Sequence, residues 1–378
     1  MADRESDIHA ALHGGVGTIA ARDWDRVAGS DPFLSHAFLS ALEDSGSVGP
    51  GTGWTPVPVT IEVDGAIAAA APAYLKTHSQ GEYVFDHGWA DAWQRAGGTY
   101  YPKLQVAVPF TPVPGARLLG DRQQHLLGAL ETITRDNSLS SAHITFIDHA
   151  GADQSAERGW LIRHGVQYHW LNRGYGDFAD FLAALSSRKR KVIRKERMAA
   201  LDGLSLDIRR GSEITTTDWD AMWAFYQDTG ARKWGQPYLT RAFFDLIAER
   251  MGDALLLFLA RRDGVAVAGA LNMIGPDALY GRYWGASEEL PFLHFELCYY
   301  QAIEWAIANG LGRVEAGAQG EHKVMRGYEP VITRSAHFIP DPSFRAAVAD
   351  FVEREQKAVG GDIEWLAESL PYRESGSP

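Results

Sequence analysis

Apolar positions along the chain fall into two periodicities, and these follow one another in the same order twice. In HAFLSALEDSG, opening after Asp31-Pro32-Phe33-Leu34-Ser35, residues Phe38, Leu39 and Leu42 recur at helical spacing. IEVDGAIAAAAPAYL then predicts strand, turn and strand, because Asp64-Gly65 favours a two-residue hairpin. A third strand in GEYVFDH, a helix in LLGALETITRD and a strand in AHITFID complete the first series. The second series runs through a helix in QPYLTRAFFDLIAERMG, a hairpin about Asp263-Gly264, and an aromatic strand, ALYGRYWG, with Tyr283 and Trp284. It closes with a helix, whose stripe is Phe295, Cys298, Tyr299, Ile303, Trp305 and Ala306, and a strand, RVEAGA.

PFLSHAFLSALE and PYLTRAFFDLIAE also match residue by residue: Pro, an aromatic, Leu, a hydroxyl, then Ala-Phe. A repeated element order at this distance is the mark of a duplicated domain. A helix crossing between strands implies mixed sheets, parallel where it crosses. YHWLN followed by Arg173-Gly174 marks the join, giving a first domain over 15–172 and a second over 173–378. The second is expected to include one long basic helix, FADFLAALSSRKRKVIRKERMAA (178–200). LSLDIRR then reads as a strand, DWDAMWAFYQDTGARKW as a helix, and SFRAAVADFVEREQKAV as a closing helix.

At 378 residues each domain can bury its own core. A net charge of −12 argues against general nucleic-acid binding. SRKRKVIRKERM runs against that balance, with seven cations, Arg188, Lys189, Arg190, Lys191, Arg194, Lys195 and Arg197, against the single acid Glu196. Such segregation points to an anionic partner or to a solvated helix face. No apolar run is long enough for a membrane span, and MADRESDIHAALHGG does not read as a secretory signal. With Cys298 as its one cysteine the chain fits a reducing compartment, and a cytoplasmic location is expected. No HExxH, CxxC or GxSxG occurs, so no metal and no serine elbow is assigned.

Chemistry concentrates after RVEAGA, where Glu321, His322, Lys323, Arg326 and Tyr328 crowd a strand's exit. A second cluster is Asp86, His87 and Trp89 in FDHGWADAW, followed by Tyr100, Tyr101, Pro102 and Lys103. Aromatics around a few polar groups suit a ligand with an extended apolar portion, and equally a packed loop.

The order helix, hairpin, strand, helix, strand resembles a GNAT-type acyltransferase domain, and its doubling resembles the Fem-type aminoacyltransferases. More closely, PFLSHAFLSALE, SSRKRKVIRKERM, RYWG, LHFELCYYQ and GAQGEHKVMRGYEPVITRSAH resemble the bacterial FemAB-like family described as peptidoglycan biosynthesis or recognition proteins, over roughly residues 20 to 360. The resemblance implies an α/β fold of tandem GNAT-like (acyl-CoA N-acyltransferase) domains, mixed sheets flanked by helices, facing each other across the active cleft. It implies an N-acyltransferase with an acyl-CoA or acyl carrier protein thioester as co-substrate and no tightly bound cofactor. The acceptor would be a primary amine on a lipid or envelope precursor. Relatives in sphingolipid-making bacteria are thought to N-acylate a sphingoid base, giving a ceramide. Two alternatives stand beside it: a tRNA-dependent ligase acting on a peptidoglycan precursor, and a non-catalytic recognition protein. One departure is plain. GASEELPFLHFE lacks the Arg/Gln-x-x-Gly-x-Gly/Ala loop that cradles a pyrophosphate, and only Gly115, Ala116 and Arg117 in TPVPGARLL offer a substitute.

Acyl transfer to an amine needs a base, donors for the oxyanion and a proton source for the leaving group. Glu296 with His294 is the first choice of base, His322 beside Glu321 and His87 beside Asp86 being its rivals. Lys323 and Arg326 suit a phosphate or an oxyanion, and Tyr328 a proton donor. Asp86, His87, Trp89, Tyr101, Lys103, Tyr283, Trp284 and Glu321 are the remaining candidates for binding substrate. Arg117, Arg188, Arg190, Lys191 and Arg194 are the candidates for an anion: phosphates of the donor, an anionic lipid surface or a tRNA acceptor stem.

Overall fold

A computed structural model of the protein describes residues 7–234, 237–317 and 320–373. The chain forms two compact units, Met1–Gly165 with Ile332–Gly360, and Val166–Val331 with Gly361–Pro378. The second crossing was not visible in the sequence: the last strand and most of the closing helix return to the first unit, where the sequence reading placed them whole in the second.

In the first unit β1 (Ile8–Leu12) is followed by α1 (Ala21–Ala28), α2 (His36–Asp44), β2 (Trp54–Pro56), β3 (Val59–Val63), β4 (Ala66–Ala71) and β5 (Ala73–Lys76). Then come α3 (His87–Arg95), β6 (Lys103–Val106), β7 (Leu119–Gly120), α4 (Gln123–Asp136), β8 (Ala142–Ile147) and α5 (His149–Glu157). β1, β3, β4 and β7 pair antiparallel in that order. β2, β5, β6 and β8 pair in that order, and the β6–β8 step, crossed by α4, is parallel. Asp64 and Gly65 both take positive φ, 51° and 80°, as the primed hairpin turn requires. Ser35 caps α2 by accepting from the Phe38 amide at 3.2 Å.

β9 (Leu161–Leu171) leads into the second unit, which continues with α6 (Phe178–Ala184), α7 (Ser187–Ala200), β10 (Ser205–Arg210), α8 (Thr216–Trp234) and α9 (Arg241–Met251). β11 (Leu255–Arg262), β12 (Val265–Ile274) and β13 (Ala278–Ala286) form an antiparallel meander with β10 at its edge. Asp263-Gly264 repeats the turn of Asp64-Gly65, with φ of 50° and 80°. A continuous helical segment follows: α10 (Leu293–Phe295), a π turn (Glu296–Tyr300) and α11 (Gln301–Ala308). β14 (Arg313–Glu315) pairs parallel with β13 and antiparallel with β9. A 3-10 segment (Glu321–Arg326), β15 (Glu329–Phe338) and α12 (Pro342–Glu368) end the chain. The core of this unit packs Trp170, Phe181, Leu297, Tyr300, Ile303 and Tyr328 under the sheet.

Three local expectations change. GEYVFDH is not a strand, because Glu82 and Asp86 turn inward to buried lysines; β5 takes its place beside β6. The expected single basic helix is two, broken at Leu185, whose backbone is extended. RVEAGA pairs only as far as Glu315.

Gly269 and Gly285 face each other across β12 and β13, where α8 lies on the sheet. A Cβ on Gly285 would stand 2.2 Å from the Phe225 carbonyl oxygen, so the helix backbone itself occupies the space. Gly285→Ala is therefore expected to cost about 2 kcal/mol through overpacking, lowering the melting temperature by roughly 4–8 °C in a unit of this size. Calorimetry of the variant beside the parent checks this.

Candidate functional site

The two units treat the same point of their sheets differently. In the second, β13 pairs with β14 only from Ala278 to Tyr280, while β13 itself runs on to Ala286. Among the described residues, the edge of β13 from Gly281 to Ala286 that turns away from β12 has no strand beside it. A bulge at this point, where Leu271 pairs with Tyr283 but Asn272 with Gly281, twists the strand further. In the first unit β6 and β8 part in the same way after Val106, but Gly115 returns to bridge Ile147, its amide donating to the Phe146 carbonyl at 3.0 Å. Arg117 is buried there and donates to the Val113 carbonyl at 2.6 Å and the Ala116 carbonyl at 2.9 Å. The loop that offered a phosphate cradle is thus spent on closing its own sheet, and Arg117 is no anion ligand.

The open split is flanked by an aromatic and cationic group. Strand alternation sends Tyr283 against Tyr226 and Phe244, ring centroids 5.3 and 5.8 Å away, so it belongs to the packing under α8 and α9. Trp284 points to His294, 5.2 Å away, whose ring lies 5.2 Å from Tyr299 and 6.3 Å from His322. His322 is exposed and shares a 2.9 Å hydrogen bond with the Tyr299 hydroxyl. Lys323, next in the chain, is 1 % exposed. Its ammonium group donates to the Gly317 carbonyl, just past β14, at 2.7 Å. No carboxylate pairs with it among the described residues, and burial pulls its pKa down to about 7. Tyr328 is fully buried and its hydroxyl has no hydrogen-bond partner among the described residues; burial pushes its pKa far up, so it keeps its proton. The Glu321 side chain lies outside the described residues.

Glu296 does not stand free as a base. It is fully buried, its oxygens accepting from Arg197 at 2.9–3.2 Å and from the Gln301 amide at 2.6 Å. Gln301 reaches it five residues on because the π turn adds a residue to that helical circuit. Arg326 is equally committed: it pairs with Glu196 at 2.9 and 3.0 Å and donates to the His322 carbonyl at 2.9 Å. Tyr300 also donates to Glu196. Both expected roles give way to the same physics, since a buried charge must be paired. Glu196 and Arg197 were counted in the sequence only as part of a charge run. Their spacing with Ile193 and Ala200 was the available signal, for it puts all four on the one buried stripe of α7. Arg190 caps α6 through the Ala183 and Leu185 carbonyls at 3.1 Å, which removes it from the anion candidates; Arg188, Lys191 and Arg194 are exposed.

The first unit holds a second constellation, buried throughout. Lys103 donates to Ser79 at 3.0 Å, to Glu82 at 2.8 Å and to Asp86. Tyr100 donates to Asp86 at 2.6 Å and lies 3.3 Å from His143, which shares hydrogen bonds of 2.7 Å with Ser141 and with His337. Burial would lower the Lys103 pKa, but Glu82 and Asp86 overcome it and raise it instead. Burial would likewise raise Asp86, but Lys103 and His143 hold it well below the usual carboxylate range. Both histidines are driven down by burial, His143 to about 3, and are neutral. Tyr101 joins through Ser79 at 2.8 Å, Trp89 packs 4.9 Å from His337, and His87 is exposed, stacked on Phe85. The structure therefore gathers Asp86, Tyr101, Lys103 and Trp89 but leaves His87 outside. Glu82, His143 and His337 escaped the sequence reading because each sits alone in a stretch that reads as strand or turn.

A sheet opened by a split between parallel neighbours, repeated in two α/β units of like element order, defines a tandem GNAT-like fold. The chain belongs to the FemAB-like family, described as peptidoglycan biosynthesis/recognition, whose match spans residues 15–374. Among solved structures it is similar to FemX, at 12 % identity and a TM-score of 0.55, covering 88 % of this chain and 98 % of that one. It is also similar to a conserved protein of unknown function from Bacteroides thetaiotaomicron, at 12 % identity and a TM-score of 0.51, covering 88 % and 99 %. A third is L-PGS from Bacillus licheniformis, at 10 % identity and a TM-score of 0.50, covering 91 % and 98 %. A search of curated proteins finds no match.

Removing the Glu296 carboxylate leaves Arg197 short of a buried partner, so Glu296→Ala is expected to cost roughly 3 kcal/mol of stability. Glu296→Gln keeps the shape and most hydrogen bonds and should retain turnover within about tenfold. Denaturant unfolding together with activity per folded molecule checks both; a loss beyond about a thousandfold in Glu296→Gln with unchanged unfolding would make this carboxylate the base after all.

Proposed function

We propose that the protein is an N-acyltransferase that moves an acyl group from a thioester, acyl-CoA or an acyl carrier protein, to a primary amine of a lipid or cell-envelope precursor, a sphingoid base being one such acceptor. Family membership and fold support the broader class, transfer of acyl or aminoacyl groups to envelope components. The observation that carries the finer reading is the β13 edge, which has no neighbouring strand among the described residues, together with the buried Lys323, with which no carboxylate among those residues pairs.

In this reading the edge of β13 that turns away from β12 beyond Tyr280 holds the donor in extended form and supplies hydrogen bonds to the developing oxyanion. The amine nitrogen attacks the carbonyl carbon, the C–N bond forms, and the C–S bond breaks. Lys323, neutral above about pH 7, takes the proton that the amine must lose. His322, hydrogen-bonded to Tyr299, faces solvent and returns a proton to the leaving thiolate. Trp284, His294 and Phe295 form an apolar wall that suits the acceptor's hydrocarbon portion. The donor's identity has a rival in an aminoacyl-tRNA. What favours it is the chain after β13, which enters α10 through a left-handed Phe292 with no glycine loop to receive a pyrophosphate.

Purified protein incubated with acyl-CoA, acyl carrier protein thioester or charged tRNA, each with a long-chain amine, should yield the amide, read by mass spectrometry, from a thioester. Amide formed only from charged tRNA, and abolished by RNase, selects the rival.

Lys323→Ala is expected to lower kcat by roughly 10²–10⁴-fold, and Lys323→Arg should not restore it, because a guanidinium cannot become neutral at these pH values. In the parent, kcat/KM should rise with pH and level off above about 7, an inflection absent from both variants. The linkage has a definite sign. A lysine whose folded pKa is depressed binds its proton more tightly when unfolded, so stability rises from about pH 7 towards the unfolded value near 10.4. Lys323→Met should flatten that rise in denaturant titrations at several pH values.

A further inference from the structure

α7 divides into two faces. Ile193, Glu196, Arg197 and Ala200 look inward and fix the helix to the second unit through the pairs with Arg326 and Glu296. The outward arc carries Arg188, Lys191, Arg194 and Lys195, all exposed. Among the described residues none of the four makes a salt bridge, although the chain carries 48 acids against 36 lysines and arginines and could have supplied counterions. Between these cations stand Val192, 45 % exposed, and Met198, 75 % exposed.

The apolar surface continues on the segments packed against α7. The 3-10 segment contacts the helix and shows Met325, 44 % exposed, with the Lys189 ammonium 3.3 Å from its sulfur. α10 also contacts it, and Phe292 just before α10 is 40 % exposed and takes φ of 63°. A phenylalanine in left-handed backbone is strained, and this one presents its ring to solvent where burial would have compensated. Four unpaired cations interleaved with exposed Met, Val and Phe side chains are what an interface of phosphate headgroups above hydrocarbon accommodates. A nucleic-acid backbone would satisfy the cations and leave the apolar side chains in water.

We propose that the outward face of α7, with Phe292 and Met325 beside it, docks the protein on an anionic lipid bilayer. His322 and Lys323 lie on the same 3-10 segment as Met325, so docking brings the mouth of the candidate site to the membrane surface. A lipid amine then reaches it without crossing water. This placement goes beyond the acyl-transfer reading and does not depend on it, because it is measured by binding alone.

The test is co-sedimentation of the full chain with vesicles of phosphatidylcholine, with and without phosphatidylglycerol, at low and high salt. Binding is expected only with phosphatidylglycerol and should weaken with salt. Lys191→Glu/Lys195→Glu should reduce partitioning at least about tenfold, Met198→Asp should reduce it with the charges intact, and Lys357→Glu, on α12, should leave it unchanged. Melting curves of these surface variants confirm that they fold. Absence of vesicle binding, or equal binding by parent and double variant, overturns the proposal. A tRNA gel shift lost in the double variant, with no vesicle binding, assigns the face to nucleic acid instead.

Discussion

Burying a charge without its opposite is the cost around which the second unit is built. Glu196 and Arg197 are neighbours on α7, and each finds its partner elsewhere: Arg326 on the 3-10 segment, Glu296 in the π turn. These two pairs cross-link three elements that share no backbone ladder. Arg197 has a second acid in Glu304 at 2.6 Å, but Glu296 and Glu196 are buried and lose their cations if Arg197 or Arg326 is absent, so helix, π turn and 3-10 segment hold one another in place. Lys323 sits three residues before Arg326 in that clamped segment, which is how a flexible side chain comes to be held in a buried position.

Two lysines show how neighbours, and not residue type, decide protonation. Lys103 and Lys323 are both almost wholly buried. Lys103 lies against Glu82 and Asp86, whose attraction outweighs burial and fixes the charge. Lys323 has a carbonyl oxygen and an aromatic ring within reach, and burial wins. The first unit therefore holds a permanent cation in a closed network, with neutral His143 and His337 beyond it, while the second holds an amine able to change state near neutrality.

Duplication leaves two copies of one sheet, and the copies have diverged where parallel neighbours part. In the first unit Gly115 fills the gap between β6 and β8 and Arg117 is folded in behind it. In the second, no strand among the described residues lies beside β13 on that edge beyond Tyr280. An unpaired edge is costly and prone to unwanted pairing unless something occupies it or short reach protects it. Its retention in one copy alone is the physical basis for assigning chemistry to the second unit.

Much of the architecture was legible locally. Asp-Gly pairs must take positive φ and did so at Asp64-Gly65 and Asp263-Gly264; the helical stripes of α2, α4, α9 and α11 and the repeated order of elements are properties of adjacent residues. The crowding of His322, Lys323, Arg326 and Tyr328 after β14 also pointed to the stretch that holds the candidate site. Roles within it were not legible. Glu296 reads as a base and Arg326 as an anion ligand until partners from 99 and 130 residues away are placed against them. The same applies to Glu82 and Asp86, which reshaped an expected strand into a loop, and to the break at Leu185, whose extended backbone bridges Tyr372 and whose carbonyl accepts from Arg190. Local periodicity determined the elements because backbone geometry is set by near neighbours. Which charges are paired, which lysine's pKa falls to about 7 and which strand edge goes without a described neighbour were decided by tertiary structure, because desolvation and pairing depend on groups that only the folded chain brings together.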